Sequence, residues 1–453
     1  MLFNLIKPLP AGISYEGPVH RVNRVGFLYD LTYKQGGRTV HEQHIFDRIF
    51  QAVDEAERFI VIDMFLFNSF TNADQDYPKL SETLTAKLIE RKKMYPGLQI
   101  VFITDEVNTT YGSHTTPEFE RLKAAGIPVI LTDLDALRDS TPLYSAGWRM
   151  FFRWFGQSGG GWIPNPMAGA APKATLRSYL KLLNVKANHR KVIATEKTVI
   201  IPSANAHDAS GFHSNTALEV SGNVISDVLE SEQAAVRLSG QLKLPSYPAG
   251  LGGETGPLSV RSLTEGKIYA YVLRTISEAK PGDTIWLGMF YLGDGRVIRE
   301  LIEAASRGVK VRLILDPNEN AFGRDKIGIP NRPAAEELTQ KSGGRIGIRW
   351  YNTGKEQFHT KMMLVSGREH STLISGSANF TPRNLDDFNL ETDLAVEGPA
   401  GAEVFQEATG YFDRLWNNRD AEYTLDYPAY KDQTVLIKEW LYHIQKFLGF
   451  TTF

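Results

Sequence analysis

Hydrophobic and polar positions along this chain fall into blocks, and the blocks come in the same order twice. Residues 41–57 carry Ile45, Ile49, Phe50 and Val53 at helical spacing, which predicts a helix with one apolar face. The run FIVIDMFLF (59–67) follows and is apolar at both parities, as a strand covered on both faces reads. A polar loop rich in Asn and Asp leads into a helix over 79–94, a strand LQIVFITDE (98–106), a helix over 117–125 and a strand IPVILTD (127–133). From residue 264 the order repeats, with a helix over 264–279, TIWLGMFYL (284–292), a helix over 295–307, VKVRLILDPNE (309–319) and IGIRWYN (346–352). Strands alternating with helices predict an α/β protein of two similar halves, each a mostly parallel central sheet flanked by helices.

The matching segments place the halves at 40–235 and 262–425. A Pro/Gly-rich linker joins them over 236–261. Residues 1–39 alternate in places (VNRVGFLYDLTY) and predict one or two strands as an N-terminal extension. In the tail, 426–453, Leu436, Trp440, Leu441 and Ile444 stand at helical spacing and predict a helix over 431–446 packed on the body. The halves differ most at 134–183, an insert with no counterpart in the second half. It carries Trp148, Phe151, Phe152, Trp154, Phe155 and Trp162, interleaved with Arg149 and Arg153. Such a segment forms a small lid core, or an apolar wall beside a site, or a patch seated at a lipid interface with its arginines near phosphates. Trp148 and Trp154 are candidate substrate contacts, and the glycines at 159–161 would let the segment move.

Composition narrows the classes. The 453 residues carry a formal net charge of −2, so no broad basic footprint marks a nonspecific nucleic-acid binder. There is no cysteine, which removes disulfides, thiolate chemistry and Cys-ligated metals. The first residues, MLFNLIKPLPAGISYEGP, lack the basic start, long apolar core and cleavage site of a signal peptide. No run of about 18 apolar residues exists to span a membrane as a helix. The expectation is a cytoplasmic protein or one peripheral to a membrane, monomeric because both halves of any shared site lie in one chain.

Candidate chemistry sits in the segments that follow the third strand of each half. NHRKVIATEKTVIIPSAN places His189 and Lys191 two apart and leads to Ser203 and Asn205. FHTKMMLVSGREHSTLISGSANFT does the same with His359, Lys361, Ser377 and Asn379. A strand period of two puts each His and Lys on one face. Brought together, two imidazoles offer a nucleophile and a general acid for a phosphodiester. Lys191 and Lys361 supply positive charge for phosphoryl oxygens, and Asn205 and Asn379 add neutral donors. Ser203 and Ser377 contact the same oxygens or cap a turn. Each ring needs an acceptor on its second nitrogen, and Glu219 and Glu391 are the candidates, in ALEVSG and NLETDLAV. No metal and no cofactor is required. His207, His213, Lys355 and Arg383 flank the site, Asp105, Glu106 and Asp316 read as loop-capping carboxylates at strand ends, and His114 and His370 belong to loops.

These residues resemble the phospholipase D superfamily, whose two His-x-Lys-x4-Asp motifs are each followed by a Gly-Ser-x-Asn turn. The resemblance covers about 40–425. It implies a pseudo-two-fold phospholipase D fold with the site between the halves and a covalent phosphohistidine. It also implies His189 as nucleophile and His359 as the acid that later activates the acceptor; nothing else in the sequence orders the two. The chain departs from the pattern at Glu196 and Ser366, which replace the motif aspartates, and at Pro202, which replaces a glycine. In the family that aspartate braces the loop. The expected activity is metal-independent hydrolysis or transphosphatidylation of a phospholipid. The alternatives are a nuclease or nucleic-acid phosphodiesterase on the same two histidines, or a lapsed protein that keeps only lipid or phosphate binding.

Overall fold

The run at 59–67 becomes the strand Phe59–Met64, buried at every position, and its counterpart becomes Thr284–Met289. The computed structural model describes residues 2–71, 76–154, 160–165, 169–247, 255–321 and 324–430. These two strands lie inside two large sheets. The first runs Arg38–Glu42, Gly26–Gln35, Asn215–Val220, Val199–Pro202, Lys191–Thr195, Phe59–Met64, Gln99–Thr104 and Val129–Leu131 across its width. The second runs His20–Val22, Leu258–Thr264, Thr392–Pro399, His370–Gly376, Lys361–Ser366, Thr284–Met289, Lys310–Leu315, Gly347–Tyr351 and Thr424–Asp426. The central six strands of the two sheets correspond one to one. The register corresponds as well, with Met64 opposite Lys191 and Met289 opposite Lys361.

The expectation of mostly parallel sheets is corrected to mixed ones. Parallel pairing joins only Phe59–Met64, Gln99–Thr104 and Val129–Leu131 in one sheet, and Thr284–Met289, Lys310–Leu315 and Gly347–Tyr351 in the other. Loop length explains this. Those strands are joined through helices, which can carry the chain back to a parallel start. Lys191–Thr195 turns directly into Val199–Pro202, and Lys361–Ser366 into His370–Gly376, and so short a connection closes only an antiparallel hairpin.

Alternate residues of each hairpin strand feed different cores. Val192 and Ala194 join Met362 and Leu364 in a core shared by both halves. Ile193 packs instead with Ile49, Leu84 and Phe119 from the outer helices of the first half, while Met363 and Val365 pack with Ile268, Leu301 and Leu338 of the second. The layers therefore run helix, sheet, sheet, helix, and the site lies where the sheets meet.

The helix expected from His41 begins at Ile45. Arg38–Glu42 pairs as a strand instead, and the buried Asp30 carboxylate accepts the backbone N–H groups of His44 (2.6 Å) and Ile45 (3.0 Å), which starts the helix there. In the insert, Pro142–Gly147 and Leu176–Leu182 are short helices around a single π-turn at Trp148–Phe152. Phe155, Gly159 and the helix expected over 431–446 lie outside the described residues. Among the described residues no helix is long and apolar enough to cross a membrane.

Candidate active site

Each histidine enters the site on the same scaffold. Asp105 ends a strand, and its Oδ1 accepts the Val107 N–H (2.7 Å) while its Oδ2 accepts the Asn188 N–H (2.7 Å), one residue before His189. Asp316 does the same for Asn318 (2.6 Å) and for Phe358 (2.8 Å), one residue before His359. Burial pushes both carboxyls up to about 7. These residues are structural braces, as their positions at strand ends suggested. The histidine backbones then cross between halves: His189 N–H donates to Leu390 O (2.9 Å) and His359 N–H to Ser214 O (2.8 Å).

The side chains cross in the same way. Nδ1 of His189 donates to Glu391 Oε2 at 2.9 Å, and Nδ1 of His359 donates to Asn215 Oδ1 at 3.1 Å. With Nδ1 committed, Nε2 of each ring is left for the cavity. Ser377 Oγ donates to Glu391 Oε2 and accepts the Thr392 N–H (2.9 Å). Ser203 Oγ donates to Asn215 Oδ1 (3.0 Å) and accepts the Thr216 N–H (3.0 Å). Asn215 thus occupies in one half-site the place Glu391 holds in the other.

This corrects three expectations. Glu219 touches neither histidine; it lies four residues further along the strand, where Arg48 (2.7 Å) and Thr198 (3.0 Å) donate to Oε1. The fragment NTALEV aligns with ETDLAV from its first residue, so Asn215-Thr216 was the match to Glu391-Thr392. Its residue type does not mark it as a histidine partner, although an amide oxygen also accepts an imidazole N–H. Second, Ser203 and Ser377 are fully buried and hold the partners of the histidines rather than lining the cavity. Third, Trp148 is buried in the insert with the Arg177 guanidinium 5.9 Å from its ring, and Trp154 stands 74% exposed; neither lines the cavity.

Lys191 and Lys361 sit behind the rings. Each Nζ donates to the carbonyl of its own motif histidine, at 2.7 Å and 2.8 Å, and lies 5.1 Å and 5.2 Å from the ring centres of Phe65 and Phe290. The same two phenylalanines pack against His189 (4.8 Å) and His359 (5.0 Å). Burial lowers Lys191 to about 7, against the pull of Glu391, and lowers Lys361 well below its usual range. It raises Glu391 to about 7, with Lys191 opposing. Both histidines are held well below 6.5, first by burial and then by the charge of the lysine in the same motif, with Lys361 adding to it at His189, and His213 and Lys191 at His359.

The rings open on one cavity of about 430 Å³. Both half-sites line it, through His189, Asn205, His359 and Asn379, with Phe65, Phe290 and Tyr291 as apolar wall. His207, His213, Lys355 and Arg383 also line it, so the residues read as flanking do face the same space. His213 packs 5.9 Å from the His359 ring and accepts the Gln357 N–H on Nδ1 (3.2 Å), which leaves its own N–H on Nε2. Burial lowers it to about 3, so it is neutral. Asn165 and Leu182 of the insert, and Val185 just after it, also line the cavity. Among the described residues no cluster of three or more His, Asp or Glu side chains is arranged to hold a metal ion.

The motif departures have a local explanation. Glu196 accepts the N–H groups of Glu57 (2.8 Å), Arg58 (3.1 Å) and Phe59 (3.2 Å), and so does the bracing expected of an aspartate there. Ser366 has no such task. The turn it would brace closes on itself, because Asp283 N–H donates to Lys280 O (3.0 Å) and Lys280 N–H donates to Asp283 Oδ2 (2.8 Å).

Comparison with known proteins agrees with this architecture. The family model described as "Cardiolipin synthase, PLD-like domain" matches residues 272–416, within the second half. No curated protein matches the chain in sequence. Phosphatidylserine synthase of Haemophilus influenzae Rd KW20 superposes with a TM-score of 0.60 over 96% of this chain and 96% of its own, at 11% identity. The phospholipase D family member Nuc of Salmonella typhimurium aligns with 38% of this chain and 98% of its own, at 21% identity and a TM-score of 0.30. Polyphosphate kinase of Porphyromonas gingivalis aligns with 94% of this chain and 54% of its own, at 10% identity and 0.49. The two sheets, their matched registers and the crossed histidine braces are one fold built twice in one polypeptide, a fold shared with the phosphatidylserine synthase structure, and its second half matches the PLD-like domain model.

Proposed function

We propose that the chain is a phosphodiesterase or phosphatidyl transferase that acts on phospholipids through a phosphohistidine. The observation that carries this reading is the pair of imidazoles facing one cavity, each with Nδ1 held by an acceptor from the opposite half. Nε2 of one ring attacks phosphorus and forms a P–N bond. The P–O bond to the leaving group breaks, and the second ring delivers a proton to that oxygen. The second ring then takes a proton from water or an alcohol, whose oxygen displaces the first ring from phosphorus.

The partners favour His189 as nucleophile. A carboxylate beside Nδ1 raises the electron density at Nε2 and stabilises the positive charge the ring gains on attack. An amide gives His359 orientation without that charge, so its imidazolium is the stronger acid. Both rings rest neutral, and a bound phosphodiester anion, by opposing the lysines, supplies the field that protonates His359. Lys191 and Lys361 contribute charge from behind the rings, while Asn205 and Asn379 face the substrate. The apolar wall of Phe65, Phe290, Leu182 and Val185 suits a lipid better than a polynucleotide.

The test is head-group release from phosphatidylcholine or phosphatidylglycerol, and separately cleavage of single-stranded DNA, in EDTA. Wild type is compared with His189→Ala and His359→Ala. Head-group release lost in both variants is the expected result. Cleavage of DNA without turnover of lipid would overturn the phospholipid assignment.

A further inference from the structure

The insert and the chain's first helix share a surface the reaction does not use. Fourteen large hydrophobic side chains are exposed among the described residues, and nine of them belong to these two segments. Met150, Phe151 and Trp154 stand 66%, 60% and 74% exposed around the π-turn, and Trp162 is 66% exposed. Phe3 (69%) and Ile6 (78%) extend the patch from the helix Leu2–Ile6, which is tied to the insert by Asp139 N–H to Asn4 O (3.0 Å) and Arg138 Nε to Lys7 O (3.1 Å). Soluble monomers rarely leave apolar side chains gathered in this way.

Charge says what covers it. The whole chain is balanced at −2, yet residues 140–195 contain no Asp or Glu, and neither do the first fifteen. Six Lys and Arg fall within 140–186. Arg149 and Lys186 pair with Asp139, and Lys181 with Glu106, all acids outside the segment. Arg153, Lys173 and Arg177 have no ion pair among the described residues. The Arg153 guanidinium lies 4.9 Å from the Trp154 ring, so positive charge and an amphipathic aromatic are presented together. A second protein would have to answer a patch that lacks carboxylates altogether. A bilayer with anionic head groups answers both halves of it, apolar below and negative at the surface.

We infer that this face docks on an anionic phospholipid membrane and brings the segment that lines the cavity to it. Asn165, Ala171, Leu182 and Val185, which line the cavity, come from the same stretch of chain as the exposed aromatics, so docking brings a segment of the cavity's lining to the bilayer surface. The inference rests on the phospholipid reading for what the cavity takes from that surface, but the contact itself does not depend on turnover.

The experiment is co-sedimentation of the full chain with vesicles of phosphatidylcholine alone and of phosphatidylcholine with phosphatidylglycerol. Quenching of tryptophan fluorescence by brominated lipid is read alongside it. Binding to the anionic vesicles stronger than to the neutral ones by about tenfold, and weakened by salt, is expected. The exposed-site variant Met150→Ser/Phe151→Ser/Trp154→Ser should lose about tenfold in vesicle affinity while keeping activity on a soluble short-chain phosphodiester. His189→Ala should bind vesicles as wild type does. If the triple variant binds as wild type, or wild type binds neither vesicle, the inference is overturned. It is equally overturned if wild type self-associates through the patch and does not bind vesicles. Vesicle binding without turnover of any phospholipid would sink the proposed reaction and leave the docking face standing.

Discussion

At the scale of single residues, the two half-sites differ in one charge. His189 has a carboxylate on Nδ1 and His359 an amide, with the serine, the following threonine and the crossed geometry otherwise alike. Glu391→Gln keeps an acceptor and removes the charge, so kcat should fall about 10²–10⁴-fold. Asn215→Ala removes the orienting bond to His359 together with the acceptor of Ser203, but no charge, and should lower kcat by about 10–100-fold with KM little changed. Glu219→Gln, on Arg48 and away from the rings, should leave activity unchanged. A steady-state comparison of the three separates the assignments. The pH profile follows from the same pair. Glu391, raised to about 7 by burial, must be ionised to hold His189, so kcat/KM should fall as pH drops below about 7. Lys191, lowered to about 7 by burial, must be charged to attract phosphate, so kcat/KM should fall again as pH rises above about 7. Bound phosphate keeps Lys191 protonated, so the alkaline limb should move upward in kcat relative to kcat/KM. Because the pair is coupled, the two limbs report it jointly.

Among the elements, the two hairpins carry the site and are braced differently. Glu196 accepts three backbone N–H groups at the start of Phe59–Met64, near the surface. Glu196→Ala should lower stability by about 1–2 kcal/mol in urea unfolding, because those donors then turn to water. Ser366→Ala should change stability by less than about 0.5 kcal/mol, since the turn at Lys280–Asp283 is self-sufficient. Ser366 also ends its strand about 17 Å from Lys361, at 3.3 Å per residue, too far to influence a proton transfer at His359. Its substitution therefore says little about whether the site works.

For the whole molecule, what joins the halves is charged as well as apolar. Arg190, between the first histidine and lysine, is fully buried and donates to Glu265 of the second half (2.7 Å) and to Glu232 (3.2 Å). Glu265 also accepts the Glu391 N–H (3.0 Å) and the Ser14 N–H (2.7 Å), so the same carboxylate anchors the partner of His189 and the N-terminal segment. Arg190→Ala leaves two carboxylates buried without their cation, and unfolding should show a loss of about 3–5 kcal/mol. Loss of activity in that variant at temperatures where it remains folded would mark the displacement of Glu391.

The order of elements, the duplication and the two His-x-Lys pairs that meet at one cavity were legible in the sequence, because apolar periodicity and His-x-Lys spacing are local properties. Glu391 was also found, since its motif is local and carries a carboxylate. Asn215 was not, because nothing local separates a partner amide from any other asparagine; only the crossing of the halves brings it to His359. Strand direction was likewise undecided by periodicity, which is the same for parallel and antiparallel neighbours. Trp148 and Trp154 read alike along the chain, but one is buried and the other bare to solvent. Residue type and spacing suggested the chemistry; which groups meet was decided by two sheets packing face to face.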